Sequence, residues 1–256
     1  MKPRAVFITG ASSGIGAAFA RHYAARGATL GLLARRADVL HKLARELPGK
    51  HRVLVADVAD AEAMRTAGQQ FMMQAGPPDI VIANAGVSVG TLTEERDDLA
   101  AFRRVMDINV LGMVHTFHPF IETMKQRDQG RLVGIASVAG IRGFPGAGAY
   151  SASKAAAISY LESLRIEMRG SGVKVVTIAP GYIATPMTAR NPYPMPFLRN
   201  VDEAVRSFTD AIENGSSYSV FPWQMAVVAK LLRLLPNPLF DALFANAGRK
   251  PRHPMI

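Results

Sequence analysis

The chain has 256 residues, of which 49% are hydrophobic and 20% charged. That is enough for one large α/β domain or two small ones, and the balance excludes disorder as a description of the whole. It has no cysteine, which excludes a disulfide framework, a thiolate metal site and a cysteine nucleophile, and fits a reducing, cytoplasmic setting. The formal net charge is +10, which suits nucleic acid, an anionic membrane or a phosphorylated ligand.

Residues 1–60 hold ten basic residues against four acidic ones, a net of +6 in the first quarter. A second excess, Lys230, Arg233, Arg249, Lys250 and Arg252 against Asp241, lies near the end. The basic start, with Lys2 and Arg4, precedes an apolar run too short for a signal peptide. No stretch is long enough to span a bilayer. A nucleic-acid role lacks an aromatic-interleaved basic groove or a known module.

Apolar runs and helical spacings alternate along the chain. Residues 6–9 read as a strand, 15–26 as a helix ending at Gly27, and 29–34 as a second strand. Asp38 is placed to cap a helix that runs to Glu46, ahead of Pro48-Gly49. Residues 53–56 form a third strand, and Asp60 caps a helix through Gln74. A fourth strand covers 80–83, and a long helical zone covers about 94–125. A fifth strand is at 131–136, a helix at 150–169 closed by Gly170, and a sixth strand at 173–179. An irregular, proline-rich segment, 181–200, is followed by a helix at 202–214, a strand at 218–221 and two C-terminal helices split by Pro236-Asn237-Pro238. Asn214-Gly215-Ser216 reads as a turn. Strands alternating with helices imply βαβ units with right-handed crossovers. The expected fold is a single α/β domain: a doubly wound, Rossmann-like parallel sheet with helices on both faces.

The first strand runs into Thr9-Gly10-Ala11-Ser12-Ser13-Gly14-Ile15-Gly16 and then a helix. Glycines permit a tight turn and close backbone approach, and a helix N-terminus attracts a pyrophosphate. The spacing is Gly-x-x-x-Gly-x-Gly, not the common dinucleotide fingerprint. Gly10 to Gly14 also matches the Gly-x-Ser-x-Gly nucleophile elbow of hydrolases. An elbow on the first strand would leave no earlier loop for the second oxyanion donor, and Gly16 would be unexplained.

Further segments fall in order: Asn84-Ala85-Gly86 after strand four, Asn109 in Asp107-Ile108-Asn109-Val110, Ser137 after strand five, Tyr150-Ser151-Ala152-Ser153-Lys154, and Pro180-Gly181 with Thr185. Over about residues 4–190 the chain resembles the short-chain dehydrogenase/reductase family. Tyr150 and Lys154 are four apart and share a helix face. A free phenol titrates at about 10, and a nearby ammonium favours the phenolate. Tyr150 is therefore placed to exchange a proton with a substrate hydroxyl or carbonyl. The resemblance implies that Lys154 also binds the nicotinamide ribose, that Ser137 hydrogen-bonds the substrate oxygen, and that Asn109 holds a water linking Lys154 to solvent. It further implies that Asp57 and Val58 meet the adenine.

Arg35 and Arg36 follow strand two. In this fold an arginine there receives a 2′-phosphate, which argues for NADP over NAD. The implied cofactor contacts are therefore Gly10, Ser12, Ser13, Gly14, Ile15, Gly16, Arg35, Arg36, Asp57, Val58, Asn84, Ala85, Gly86, Tyr150, Lys154, Pro180, Gly181 and Thr185. His115, His118 and Glu122 have helical spacing, but that segment resembles the family helix that packs on a second subunit. No metal site is expected.

The pocket candidates Val87, Ser88, Val138, Ile141, Phe144, Tyr182, Met187, Tyr193, Met195 and Phe197 are mostly apolar. No cluster among them suits a carboxylate or phosphate. A hydrophobic alcohol or carbonyl substrate is therefore expected, with 181–200 as a lid. Residues 223–256 are expected to form variable C-terminal helices and a basic tail. These pack on the domain or on a partner in a homo-oligomer (dimer or tetramer), or else form a peripheral contact with an anionic membrane. The rival to an enzyme is a non-enzymatic NADPH-binding or interaction protein. The intact Asn109, Ser137, Tyr150 and Lys154 argue against it.

Overall fold

In a computed structural model, which describes residues 4–252, seven parallel strands form one sheet in the order β3-β2-β1-β4-β5-β6-β7. The strands are β1 (Ala5–Thr9), β2 (Thr29–Ala34), β3 (Arg52–Val55), β4 (Ile80–Ala83), β5 (Gly130–Ile135), β6 (Val173–Pro180) and β7 (Tyr218–Phe221). The helices are α1 (Gly14–Ala25), α2 (Ala37–Glu46), α3 (Ala61–Ala75), α4 (Asp98–Met106), α5 (Gly112–Gln126), α6 (Gly148–Glu167), α7 (Val201–Asn214), α8 (Trp223–Leu234) and α9 (Asn237–Phe244). Lys2 of the basic start and residues 253–256 of the tail lie outside the described residues.

Alternation along each strand divides the core between two faces. Val6, Ile8, Leu30, Leu32, Val133 and Val176 pack with Phe19 and Tyr23 of α1, Leu40 of α2, and Phe208 and Ile212 of α7. Phe7, Leu33, Val81, Leu132 and Val175 point the other way, against Phe71 of α3, Phe117 and Phe120 of α5, and Leu161 of α6. Burial on both faces explains why the central strands β1, β2 and β4 read as continuous apolar runs.

The direction of winding reverses between β1 and β4, which pair as neighbours with β2 and β5 outside them. The crevice beyond the carboxyl ends of these strands is where such sheets bind ligands. Here the reversal point is stitched by side chains. Thr9 Oγ1 accepts from the amides of Asn84 (3.2 Å) and Ala85 (3.3 Å). Asn84 Nδ2 donates to the carbonyls of Thr9 (3.0 Å) and Gly10 (3.3 Å).

Two sequence expectations are corrected. Asp60 caps α3, accepting from the Ala63 amide at 3.0 Å, but Asp38 does not cap α2. The capping position is Arg36, and Asp38 lies in the first turn, where its charge favours the positive helix end. The zone 94–125 is not one helix. It starts at Asp98, and α4 and α5 are joined by a π-helical turn, Asp107–Leu111. One extra residue per turn breaks the α-periodicity there, and apolar spacing does not reveal that.

The C-terminal helices pack on the domain through Met225, Ala229 and Phe240. Arg142 fixes them. It donates to the carbonyls of Leu232 (2.6 Å) and Leu235 (2.5 Å) and to Asn237 Oδ1 (2.7 Å), and stacks on Phe240 at 3.9 Å. The basic tail does not join this helix surface. Arg252 pairs with Glu95 and Asp98, Lys250 reaches Ser88, and Arg249 lies over Gly146. Among the described residues, no helix is long and apolar enough to cross a membrane.

Candidate active site and cofactor cleft

One cleft of about 760 Å³ runs along the carboxyl ends of the strands. Its first part is the glycine turn. Gly10 has φ +66° and Gly14 +54°, backbone that L side chains rarely adopt. Gly16 admits no Cβ, because one would lie 2.3 Å from the Gly10 carbonyl oxygen and 2.6 Å from Asn84 Nδ2. The turn therefore closes directly over the reversal point and aims the first amides of α1 into the cleft.

Gly10, Ser12, Ser13, Gly14, Ile15, Arg35, Arg36, Asp57, Val58, Asn84, Ala85, Gly86, Ser137, Tyr150, Lys154, Pro180, Gly181 and Thr185 all line this cleft. Residues from six loops thus converge. Gly16 and Asn109 lie behind the wall and shape it. Leu33, Ala56, Ile108, Ile183, Pro186 and Thr188 also line it, and the sequence reading missed them. They flank predicted positions in elements of known register, which is the one signal that could have found them.

At the end of β2, Arg36 donates to Ser12 Oγ at 3.0 Å, and Arg35 stands 3.8 Å from Asp57 Oδ2. Asp57 also pairs with Arg104 and accepts from the Ala59 amide at 3.0 Å. Burial pushes its carboxyl up, but the Ala59 amide and the Arg104 and Arg35 charges outweigh this and leave it below the usual range. Arg104 carries no motif signal; α4 simply brings it across.

At the other end, Lys154 is buried on α6 and its ammonium donates to the Ile135 carbonyl at 2.7 Å. Burial lowers it to about 8. The Nζ atom is 6.0 Å from the centre of the Tyr150 ring. The expected lowering of the Tyr150 phenol does not occur here. Burial raises it, an interaction with Ser137 pulls the other way, and Tyr182 adds to the rise. Desolvation of the phenolate outweighs the distant ammonium, which is turned to a backbone carbonyl.

Ser137 caps a short 3-10 turn, accepting from the Ala139 amide at 3.1 Å. Asn109 sits in the π turn. Its Oδ1 accepts from the Val87 amide (2.8 Å), and its Nδ2 donates to the Val87 carbonyl (3.0 Å) and to Ser153 Oγ (2.9 Å). It therefore ties the loop after β4 to α6 beside Lys154. Ser153 is the partner that sequence reasoning missed.

His115 Nδ1 donates to the Val58 carbonyl at 2.9 Å, so this histidine braces the loop after β3. Among the described residues no group of three or more His, Asp or Glu could hold a metal. Val87 and Met187 line the cleft, Tyr182 and Tyr193 meet edge to face, and Phe197 is exposed at φ +59°. Phe144 instead packs on Phe240 and Phe244.

A glycine turn over a helix N-terminus, opposite a Ser-Tyr-Lys group at the end of the same cleft, defines a dinucleotide-dependent oxidoreductase of the doubly wound class. The model of the short chain dehydrogenases matches residues 4–194. An uncharacterized oxidoreductase of Myxococcus xanthus (strain DK1622) is 40% identical over 245 residues, 94% of this chain and 96% of that protein. An 11-beta-hydroxysteroid dehydrogenase A of Arachis hypogaea is 39% identical over 190 residues, 72% of this chain and 54% of that protein. A solved short chain dehydrogenase from Burkholderia cenocepacia J2315 shares the fold, with a TM-score of 0.80 at 24% identity over 94% of this chain and 96% of that one. The chain belongs to the short-chain dehydrogenase/reductase family, whose members are oxidoreductases that use NAD(P) cofactors.

Proposed function

We propose that the protein transfers a hydride between NADP(H) and an apolar alcohol, ketone or aldehyde, with Tyr150 as the proton donor or acceptor. The observation that carries this reading is a single cleft with Ser12 and Arg36 at one end and Ser137, Tyr150 and Lys154 at the other. The residues present fit the cofactor. The turn that a Cβ on Gly16 would block leaves backbone amides to meet a pyrophosphate, and the Ser12–Arg36 pair supplies donors for a 2′-phosphate. When bound, the nicotinamide supplies or accepts the hydride.

The chain's own residues do the rest. Tyr150 gives its proton to the carbonyl oxygen during reduction and takes one back during oxidation. Ser137 holds that oxygen. Lys154 would hold the nicotinamide ribose, and its positive charge, if turned from the Ile135 carbonyl towards Tyr150, would favour the phenolate. Asn109 maintains the junction through which Lys154 reaches solvent by way of a water. Asp57 and Val58 meet the adenine, with Arg104 and Arg35 holding the Asp57 carboxylate in place.

The substrate class rests on Val87 and Met187, which line the cleft, and on the Tyr182–Tyr193 pair near Tyr150, and agrees with the steroid named for the Arachis hypogaea relative. Residues 181–200 act as the lid, tied at the base by backbone hydrogen bonds from the Ala184 amide to the Arg199 carbonyl (2.8 Å) and from the Arg199 amide to the Tyr182 carbonyl (3.0 Å). Exposed Trp223, Leu231, Leu234, Leu239 and Leu243 support a homo-oligomer contact. A peripheral membrane contact is the weaker reading, because Arg249, Lys250 and Arg252 turn to the cleft mouth.

Turnover of a panel of apolar ketones and aldehydes with NADPH tests the reading. Activity abolished by Tyr150→Phe is expected. Binding of NADPH without turnover of any carbonyl would leave only the non-enzymatic alternative.

A further inference from the structure

The last described residues form a strap, 248–252, across the substrate end of the cleft. The Gly90 amide donates to the Pro251 carbonyl at 2.8 Å. A Cβ on Gly90 would lie 2.2 Å from the Lys250 carbonyl oxygen, so this loop accommodates the strap only because residue 90 is glycine. Arg252 clamps the end on Asp98 (2.9 Å) and Glu95 (3.1 Å), and Gly248 packs beside Tyr193. Held this way, Lys250 Nζ lies 4.6 Å from the centre of the Tyr150 ring and 2.6 Å from Ser88 Oγ.

We propose that Lys250 and Ser88 form an anion-recognising subsite, which binds a carboxylate carried by the substrate within a few bonds of its reacting carbon. This rests on the reading of Tyr150 as the group that meets the reacting oxygen.

Three observations support it. Among the described residues no carboxylate pairs with Lys250, whose partners are Ser88 Oγ and the Tyr150 ring, while Glu95 and Asp98 are engaged by Arg252. A largely desolvated ammonium without a counter-charge is costly, and burial lowers Lys250 to about 8. An arriving oxyanion reverses that effect. Second, an ammonium only donates, so Ser88 Oγ accepts from Lys250 and its own hydrogen remains to donate to a ligand. Two donors thus converge at one point. Third, the Tyr150 ring lies 4.6 Å from the ammonium and Tyr193 packs beside Gly248 of the same strap, and aromatic rings next to a bound ion pair lower the local dielectric. The ligand class that fits is an oxo acid or hydroxy acid with an apolar body. The pocket candidates visible in the sequence include no anion-binding group, because Lys250 lies 100 positions from Tyr150 and reaches it only through the strap.

Calorimetric titration of the protein loaded with NADP+ by 4-oxo-4-phenylbutanoate and by its methyl ester tests this without requiring turnover. The wild type is expected to bind the acid about tenfold or more tightly than the ester. Lys250→Gln should erase that preference, and Lys250→Arg should keep part of it. Gly90→Ala should erase it too, by displacing the strap with Lys250 intact. Lys230→Gln, on the exposed face of α8, should leave it unchanged. Equal affinities in the wild type, or a preference that survives Lys250→Gln, would overturn the proposal. If the acid preference holds while no carbonyl is reduced, the subsite stands and the oxidoreductase reading fails.

Discussion

The Arg36 guanidinium donates to the Ser12 hydroxyl at 3.0 Å, joining the end of β2 to the glycine turn. Ser12 belongs to a segment that could also be read as a nucleophile elbow. In the structure its hydroxyl accepts from an arginine, and among the described residues it has no hydrogen bond to a histidine or carboxylate. A guanidinium and a hydroxyl side by side make a ready phosphate site.

The first prediction concerns this pair. NADPH should bind more tightly than NADH, and Arg36→Ala should narrow the gap by about tenfold or more, since charge-assisted hydrogen bonds contribute roughly 1.5–3 kcal/mol each. Arg35→Ala should have a smaller effect, because Asp57 already shares its charge at 3.8 Å. Equal affinities for the two nucleotides in the unmodified protein, measured by fluorescence titration, would sink the preference.

Catalysis gives the second. Tyr150→Phe keeps the ring and removes the proton, so turnover should disappear while NADPH binding is largely kept. Ser137→Ala removes one donor to the reacting oxygen and should lower kcat by about 10²–10³, the usual size of such a loss. Near-normal turnover in Tyr150→Phe would dismiss the mechanism.

How far the sequence carried differs between parts of the molecule. The order of strands and helices was legible because the central strands are buried apolar runs and because glycines and capping residues, such as Gly27 and Asp60, punctuate the connections. The cofactor wall was legible because turns at strand ends follow the register of the sheet. What escaped was contact between distant segments. Arg104 meets Asp57, Ser153 meets Asn109 and Lys250 meets Ser88, and no local pattern encodes any of these. The π turn around Asn109 escaped because one extra residue in a helix leaves no mark on composition. The rise in the Tyr150 phenol escaped because spacing on a helix says that two side chains share a face, not which way an ammonium turns.

The third prediction uses Lys154. Burial places its ammonium at about 8, below the ordinary lysine value. A bound dinucleotide, carrying negative charge, favours the ammonium and raises that value. By linkage, affinity is then full below the free-protein value and falls as pH rises through about 8. NADPH affinity should therefore decline between about pH 7.5 and 9.5. Lys154→Met should bind more weakly and lose this dependence. Lys250 also titrates at about 8, but it lies on the substrate side, so Lys250→Gln should keep the wild-type profile for the cofactor. A flat wild-type profile would place the ribose contact elsewhere.

The last prediction concerns the outer face of α8 and α9. Leu234 is 80% exposed, and Trp223, Leu231, Leu239 and Leu243 lie between 59% and 69%. Single exposed apolar residues are ordinary, whereas five on two adjoining helices form a patch that calls for a cover. Two covers compete: a second copy of the chain and an anionic membrane. Electrostatics decides between them. Each basic residue near an anionic surface adds about 1 kcal/mol, yet the strap carries Arg249, Lys250 and Arg252 away to the cleft mouth, leaving Lys230 and Arg233 beside the patch. The expectation is a homo-oligomer closed through this face. Leu231→Glu with Leu234→Glu should lower the mass measured by light scattering and leave NADPH affinity unchanged, because neither residue lines the cofactor cleft. Sedimentation with anionic vesicles should show little binding by the wild type. An unchanged mass in the double variant, together with vesicle binding that weakens as salt rises, would assign the face to a membrane instead.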